Sequence, residues 1–183
     1  MEFFILIGLI VLNGVFAMSE IAIVTARKAR LAKQAAEGDK GAKTALKLAE
    51  DPTNFLSTVQ IGITSIGILN GIFGEAILAQ PLSVWLQHFG LSAATSSVTA
   101  TVIVVVVVTY TSIVIGELVP KRLGQLSAEN IACLVSRPMQ LLALITRPFV
   151  LLLSASTHGL IRLMGVKQNN GASVTEEEIH AML

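Results

Sequence analysis

The chain has 183 residues, 53% of them hydrophobic and 14% charged, and its mean hydropathy is +0.73. Soluble domains lie near about 45–50% apolar and about 25% charged, so these totals place the chain among membrane proteins. The net charge of +1 gives no case for nucleic-acid binding.

The first stretch, MEFFILIGLIVLNGVFAMSEIAIVTARKAR, carries its basic residues after the apolar run. A secretory signal has them before it, so a retained membrane span is expected over residues 3–26. Residues 27–51, RKARLAKQAAEGDKGAKTALKLAED, are rich in Ala, Lys, Leu and Glu and break at EGDKG. That pattern predicts two helices joined by a turn, the second closed by Asp51-Pro52, lying along the inner membrane surface with lysines towards anionic lipid.

A second span is expected over 55–85, punctuated by Gly62, Gly67, Gly71 and Gly74. Small residues at such spacing let helices approach closely in lipid. A third is expected over 93–119; each of the three exceeds the ~20 residues that cross ~30 Å of hydrocarbon. Seven of the thirteen basic residues fall between Arg27 and Lys47, none between Thr53 and Pro120, and six at or after Lys121. Basic residues stay cytoplasmic, which predicts the N-terminus outside, the 27–53 loop inside, and everything after residue 120 inside.

Residues 138–166 are apolar enough for a fourth span, but Arg147-Pro148 falls near the centre. Charge is expensive there, and the ring breaks the helical ladder. The expectation is two helices hinged at Arg147-Pro148 and lying against the cytoplasmic face or flanking the bundle. In SVTEEEIHAML, Thr175 followed by Glu178 marks the start of a further helix. The chain stops inside it, and a soluble domain is expected to follow. The fold class is therefore an all-α membrane protein with three transmembrane helices and juxtamembrane amphipathic helices.

The third span ends in TSIVIGELVPKR. Proline has no N–H, so Pro120 leaves the carbonyl of Gly116 without its usual helical partner. Glu117 stands next to that carbonyl, with Lys121 one turn on as the nearest donor. An acid inside a membrane is a functional hypothesis by default, and an acid beside a spare carbonyl outlines a hard-cation site. Ser19 and Glu20 lie ~10–12 Å from the inner surface, Ser65 at ~15 Å and Asn70 a turn and a half deeper, at 1.5 Å per residue. Three helices thus carry oxygen ligands to a broadly similar depth. Ser19 and Ser65 also have the ordinary option of bonding the carbonyl one turn back. Asn70 can serve as interhelical glue. Glu20 can be a structural acid, and Glu75 reads as interfacial. The donor set contains no soft ligand, which leaves Mg²⁺, Ca²⁺ or Na⁺. Cys133 in ENIACLVSR has no Cys or His neighbour and reads as a packing residue. No Ser/His/Asp set or Cys/His pair is present, and histidines occur only at 88, 158 and 180, so an enzyme is not expected.

Four stretches, FAMSEIAIVTARKARL, AAEGDKGAKTALKLAEDPTNFLSTVQIGITSIGIL, GELVPKR and VTEEEIHAML, resemble the transmembrane domain of the CNNM/CorC family of magnesium transporters, and together they cover nearly the whole chain. The resemblance implies a transmembrane domain over residues 1–166, with spans 3–26, 55–85 and 93–119 and juxtamembrane helices over 27–51 and 128–166. Residues 167–183 then form a linker and the start of a cytoplasmic CBS-pair region that binds ATP. It further implies a homodimer in the bacterial inner membrane that exports Mg²⁺ coupled to inward Na⁺ movement. Carried onto this chain, the implied Mg²⁺ ligands are Ser19, Ser65, Asn70, Gly116 and Glu117, with Glu20, Pro120 and Lys121 in structural or gating roles. A Mg²⁺-permeable channel and a membrane-anchored Mg²⁺ sensor are the competing readings.

Overall fold

A computed structural model of the chain describes residues 2–50 and 52–164. Among these, all regular structure is helical. Helix α1 covers Glu2–Thr25. The basic loop forms α2 (Lys28–Ala36) and α3 (Lys40–Glu50), separated at the EGDKG break as its composition requires. Gly38 takes φ +100°, a conformation that penalises any side chain. Asp39 then caps α3, its Oδ1 accepting from the N–H of Gly41 at 2.6 Å and of Ala42 at 3.1 Å.

Helix α4 (Pro52–Gly74) runs through a π-helical turn, Glu75–Ala79, into α5 (Gln80–Gln87). Helix α6 (Ala93–Ile113) is capped by Ser92, whose Oγ accepts from the Thr95 N–H at 3.2 Å. It passes through a second π-turn, Val114–Leu118, into α7 (Val119–Leu126). Both π-turns sit just ahead of a proline, Pro81 or Pro120. A proline ring in a helix collides with the carbonyl four residues back, and one extra residue in the turn moves that carbonyl aside. The π-turn is thus the local answer to a helix that continues through proline. It was not anticipated from the sequence, where only the lost hydrogen bond was visible.

Helix α1 is the hub, packing against α4, the second π-turn and α7. Glycine permits this approach, at Gly14 and Gly124 among other positions. A Cβ on Gly14 would stand 2.9 Å from Pro120 Cγ, and one on Gly124 would strike Ile21 and lie 2.8 Å from the Met18 carbonyl oxygen. A buried cluster of Ile23, Leu31, Phe55 and Val59 extends this packing to the helices of the basic loop and to Ala132 and Val135. Ser136 Oγ donates to the Gly41 carbonyl at 2.9 Å, fixing α3 to the segment after Ala128. Outward-facing positions such as Val102, Val106 and Tyr110 are apolar and exposed, as a lipid-facing surface demands.

Where two helices hinged at Arg147-Pro148 were expected, one helix, α8, covers Ala128–Leu163. Each of its two prolines, Pro138 and Pro148, removes a single helical hydrogen bond, which an apolar 36-residue helix tolerates. Compact packing nevertheless divides at this point, with one unit ending at Arg147 and another beginning at Pro148. Among the described residues, four helical segments are long and apolar enough to cross a membrane: Phe3–Thr25, Pro52–Gln87, Ala93–Leu126 and Ala128–Leu163. The first three correspond to the expected spans, with the second and third longer than expected. The fourth is the segment that, from its central arginine and proline, was expected against the cytoplasmic face or flanking the bundle. The helix start expected at Thr175 lies outside the described residues.

Candidate functional site

A cavity of about 200 Å³ lies between α1, α4 and α6, with both π-turns at its edge. Its polar lining is Asn13, Asn70, Glu75, Thr109, Ser112 and Glu117, set among aliphatic side chains such as Ile63, Val104 and Val108. Asn13 and Asn70 are buried, 6% and 2% exposed. An amide in an apolar bundle costs free energy unless its hydrogen bonds are made, so these two define the polar character of the cavity.

Gly116 is buried beside α1, and its carbonyl accepts from Asn13 Nδ2 at 3.0 Å. The expectation of a spare carbonyl is thus met differently. Val119 N–H pairs with Val114 O, the five-residue spacing of a π-turn, and an amide 103 residues away serves Gly116. Close approach explains the glycine: a Cβ here would lie 3.1 Å from the Ile10 carbonyl and 3.3 Å from Asn13 Nδ2.

Glu117 is not unengaged either. Lys121 Nζ donates to Glu117 Oε1 at 2.8 Å and lies 3.5 Å from Glu20 Oε2, which itself makes no hydrogen bond. The three side chains are 36%, 31% and 23% exposed, for Glu117, Lys121 and Glu20 respectively. One ammonium thus stands between two carboxylates, one from α1 and one from the second π-turn. The pair holds a cation already, and that cation is tethered to the chain.

Of the ligands implied by the resemblance, Asn70 and Glu117 line the cavity, and Gly116 adjoins it through Asn13. Ser19 is fully buried and donates to the Val15 carbonyl at 2.6 Å, the one-turn-back bond open to any membrane serine, and it is not part of the lining. Ser65 is exposed and is not part of the lining. The structure adds Asn13, Thr109 and Ser112, and it places Glu75, read from the sequence as interfacial, at the same cavity. An intramembrane amide in VLNGVF was the available signal for Asn13. Ser112 and Thr109 were hidden within a run read only for its hydropathy. Among the described residues no group of three or more His, Cys, Asp or Glu is placed to hold a metal, so any cation held here meets a mixed set of amide, hydroxyl, carbonyl and carboxylate oxygens.

A family profile described as CNNM, cyclin M transmembrane N-terminal domain, matches residues 4–183. A UPF0053 protein of Synechocystis sp., sll0260, is 48% identical over 183 residues, covering 100% of this chain and 41% of that protein. The UPF0053 protein YhdT of Bacillus subtilis is 33% identical, covering 98% of this chain and 40% of its own length. A protein of Salmonella typhimurium named polyamine export protein is 31% identical, again with 98% of this chain and 40% of that protein covered. The chain therefore spans about two fifths of the length of these relatives. With the profile matched over nearly its whole length and several apolar helices of membrane-spanning size, the chain is a multi-pass membrane protein and belongs to the CNNM transmembrane-domain family.

Proposed function

We propose that this domain carries Mg²⁺ out of the bacterial cytoplasm, with Glu117 as the anionic ligand of the ion. The supporting observation is a polar cavity inside an apolar bundle, bounded by the Glu117 carboxylate, the Asn70 amide and the Asn13-held Gly116 carbonyl. Mg²⁺ sheds water reluctantly and demands near-octahedral geometry, so a preorganised carbonyl next to a carboxylate offsets part of that cost. Loading requires Lys121 to leave Glu117, and Glu20 is positioned to keep the displaced ammonium. The reading assigns Ser19 and Ser65 to the loaded state, reached by rearrangement of α1 and α4. Inward Na⁺ movement supplies the driving force. The protein works as a homodimer in the inner membrane with its N-terminus outside, and a CBS-pair region beyond this domain binds ATP and regulates it.

A second reading, export of a linear polyamine, is favoured by a specific feature. Two acids, Glu75 and Glu117, edge one cavity whose walls are otherwise mostly aliphatic, and the primary ammonium of Lys121 already rests on Glu117. Ammonium ends against carboxylates and methylenes along valines suit such a molecule, and two fifths of the polyamine export protein named above is the part this chain resembles.

Full-length protein in liposomes loaded with a Mg²⁺ dye separates the readings. Flux that depends on a Na⁺ gradient and disappears in Glu117→Gln supports the exporter. Conductance independent of the gradient indicates a channel. Mg²⁺ binding without flux indicates a sensor, and radiolabelled spermidine movement without Mg²⁺ movement indicates the polyamine reading.

A further inference from the structure

Two exposed helix faces flank the contact between α3 and α8. On α3, Lys40, Lys43 and Lys47 recur at i, i+3 and i+7, which sets them on one side of the helix, and all three are exposed. The opposite side, with Gly41, Ala42, Ala45 and Ala49, is buried. On α8, Leu134, Arg137 and Leu141 repeat the same spacing. An exposed arginine therefore stands between two leucines that are 77% and 60% exposed. The helices join at Gly41: Ser136 Oγ donates to its carbonyl at 2.9 Å, and a Cβ there would strike the Cys133 carbonyl. Lys40 and Arg137 are the chain neighbours of that hydrogen bond, one on each helix.

We infer that Lys40, Lys43 and Lys47 of α3, together with Arg137, Leu134 and Leu141 of α8, form a binding surface for anionic phospholipid. The headgroup phosphate meets the cations and an acyl chain runs along the leucines. Among the described residues none of these four cations is ion-paired with an acid, whereas Arg30, Lys33 and Lys121 are. Glu50, the last residue of α3, is the one acid on that helix. The surface is also held where lipid is. The loop that carries α3 leaves α1 at Thr25 and enters α4 at Pro52, and both helices belong to segments of spanning size. Close to an anionic membrane each Lys or Arg is worth about a fivefold gain in affinity.

The leucines choose the partner. Free phosphate or a strongly acidic peptide would use the four charges and leave two large aliphatic side chains bare beside the arginine. A phospholipid uses both, and an apolar ridge edged by basic residues is the pattern of helices that lie in the membrane interface. The sequence turns the lysines of the basic loop towards lipid without choosing among them. The fold selects three and adds an arginine from a helix that no local pattern links to them. None of this depends on which cargo the domain carries.

The test is a thermal-stability titration of the full-length protein in detergent, at constant ionic strength. Dioctanoyl phosphatidylglycerol, dioctanoyl phosphatidylcholine and inorganic phosphate are compared, because a ligand that binds only the folded state raises the melting temperature saturably. The expected result is a saturable rise with phosphatidylglycerol that the other two do not reproduce. Its half-saturating concentration should increase about fivefold in Arg137→Gln and at least tenfold in the combined Lys40→Gln, Lys43→Gln, Lys47→Gln variant. Lys33→Gln, which removes an ammonium 3.9 Å from Glu37, should leave it unchanged. The combined Leu134→Ser, Leu141→Ser variant keeps every charge and should still raise it at least threefold. An equal rise with phosphatidylcholine or with inorganic phosphate overturns the inference, as does an unchanged response in Arg137→Gln or in the lysine variant. An unchanged response in the leucine variant also overturns it, by reducing the surface to a site for any anion. If the lysine variant does not fold, Arg137→Gln decides.

Discussion

Replacing Lys121 with methionine should strengthen Mg²⁺ binding. The aliphatic stem is preserved while the ammonium that occupies Glu117 is removed. At 2.8 Å from Glu117 and 3.5 Å from Glu20, an effective dielectric of about 20 gives gross attractions of about 6 and about 5 kcal/mol. Most of that is offset by desolvation and by ordering the lysine, and exposed pairs retain only about 0.2–1 kcal/mol. With the three groups about a third exposed, the upper end of that range applies: about 1 kcal/mol, or roughly a fivefold change in dissociation constant. Because an incoming cation must displace this ammonium, Lys121→Met should lower the Mg²⁺ dissociation constant by about that factor, measured by isothermal titration of the full-length protein. Lys43→Met, on the surface of α3, should leave it unchanged. An unaltered or weakened affinity in Lys121→Met would mean that Lys121 and Mg²⁺ do not compete for Glu117.

The packing makes further predictions. Gly124→Ala forces a Cβ against Ile21 and the Met18 backbone, an overpacking cost of about 1–3 kcal/mol, and should lower the melting temperature by several degrees. Gly8→Ala, where a Cβ meets open space on the same hub helix, should leave it unchanged or slightly raised. Ser136→Ala removes the side-chain tie to the Gly41 carbonyl at a net cost of about 0.5–1.5 kcal/mol, and hydrogen exchange should quicken in α3 while α6 keeps its protection. If a polyamine is the cargo, Glu75→Gln should reduce spermidine transport at least tenfold; equal transport in both proteins counts against a two-carboxylate grip.

Much of this architecture could be read from the sequence, because it follows from length and composition. The long apolar helices and the helix break at EGDKG needed only bilayer thickness and turn chemistry, and the disturbed helical bonding ahead of Pro120 needed only the missing proline N–H. What could not be read is what depends on partners distant in the chain. Nothing local to Asn13 says that its amide will meet the Gly116 carbonyl, and nothing local to Glu117 chooses between Lys121 and a free ion. The π-turns escaped for a different reason. Local pattern shows that proline removes a bond, but whether a helix breaks, kinks or gains a residue depends on what the neighbouring helix accepts. At Pro120 that neighbour is Gly14 of α1. At Arg147-Pro148 the local signals for a hinge coincide with the point where compact packing divides, while the helix α8 covers Ala128–Leu163.

The most direct test of a cation held by Glu117 is a Mg²⁺ titration of the full-length protein beside Glu117→Gln, with Ca²⁺ and Na⁺ as competitors. The account predicts saturable Mg²⁺ binding in the wild type and at least a hundredfold loss in Glu117→Gln, whose side chain keeps its shape but not its charge. Equal Mg²⁺ affinity in the two proteins would contradict it.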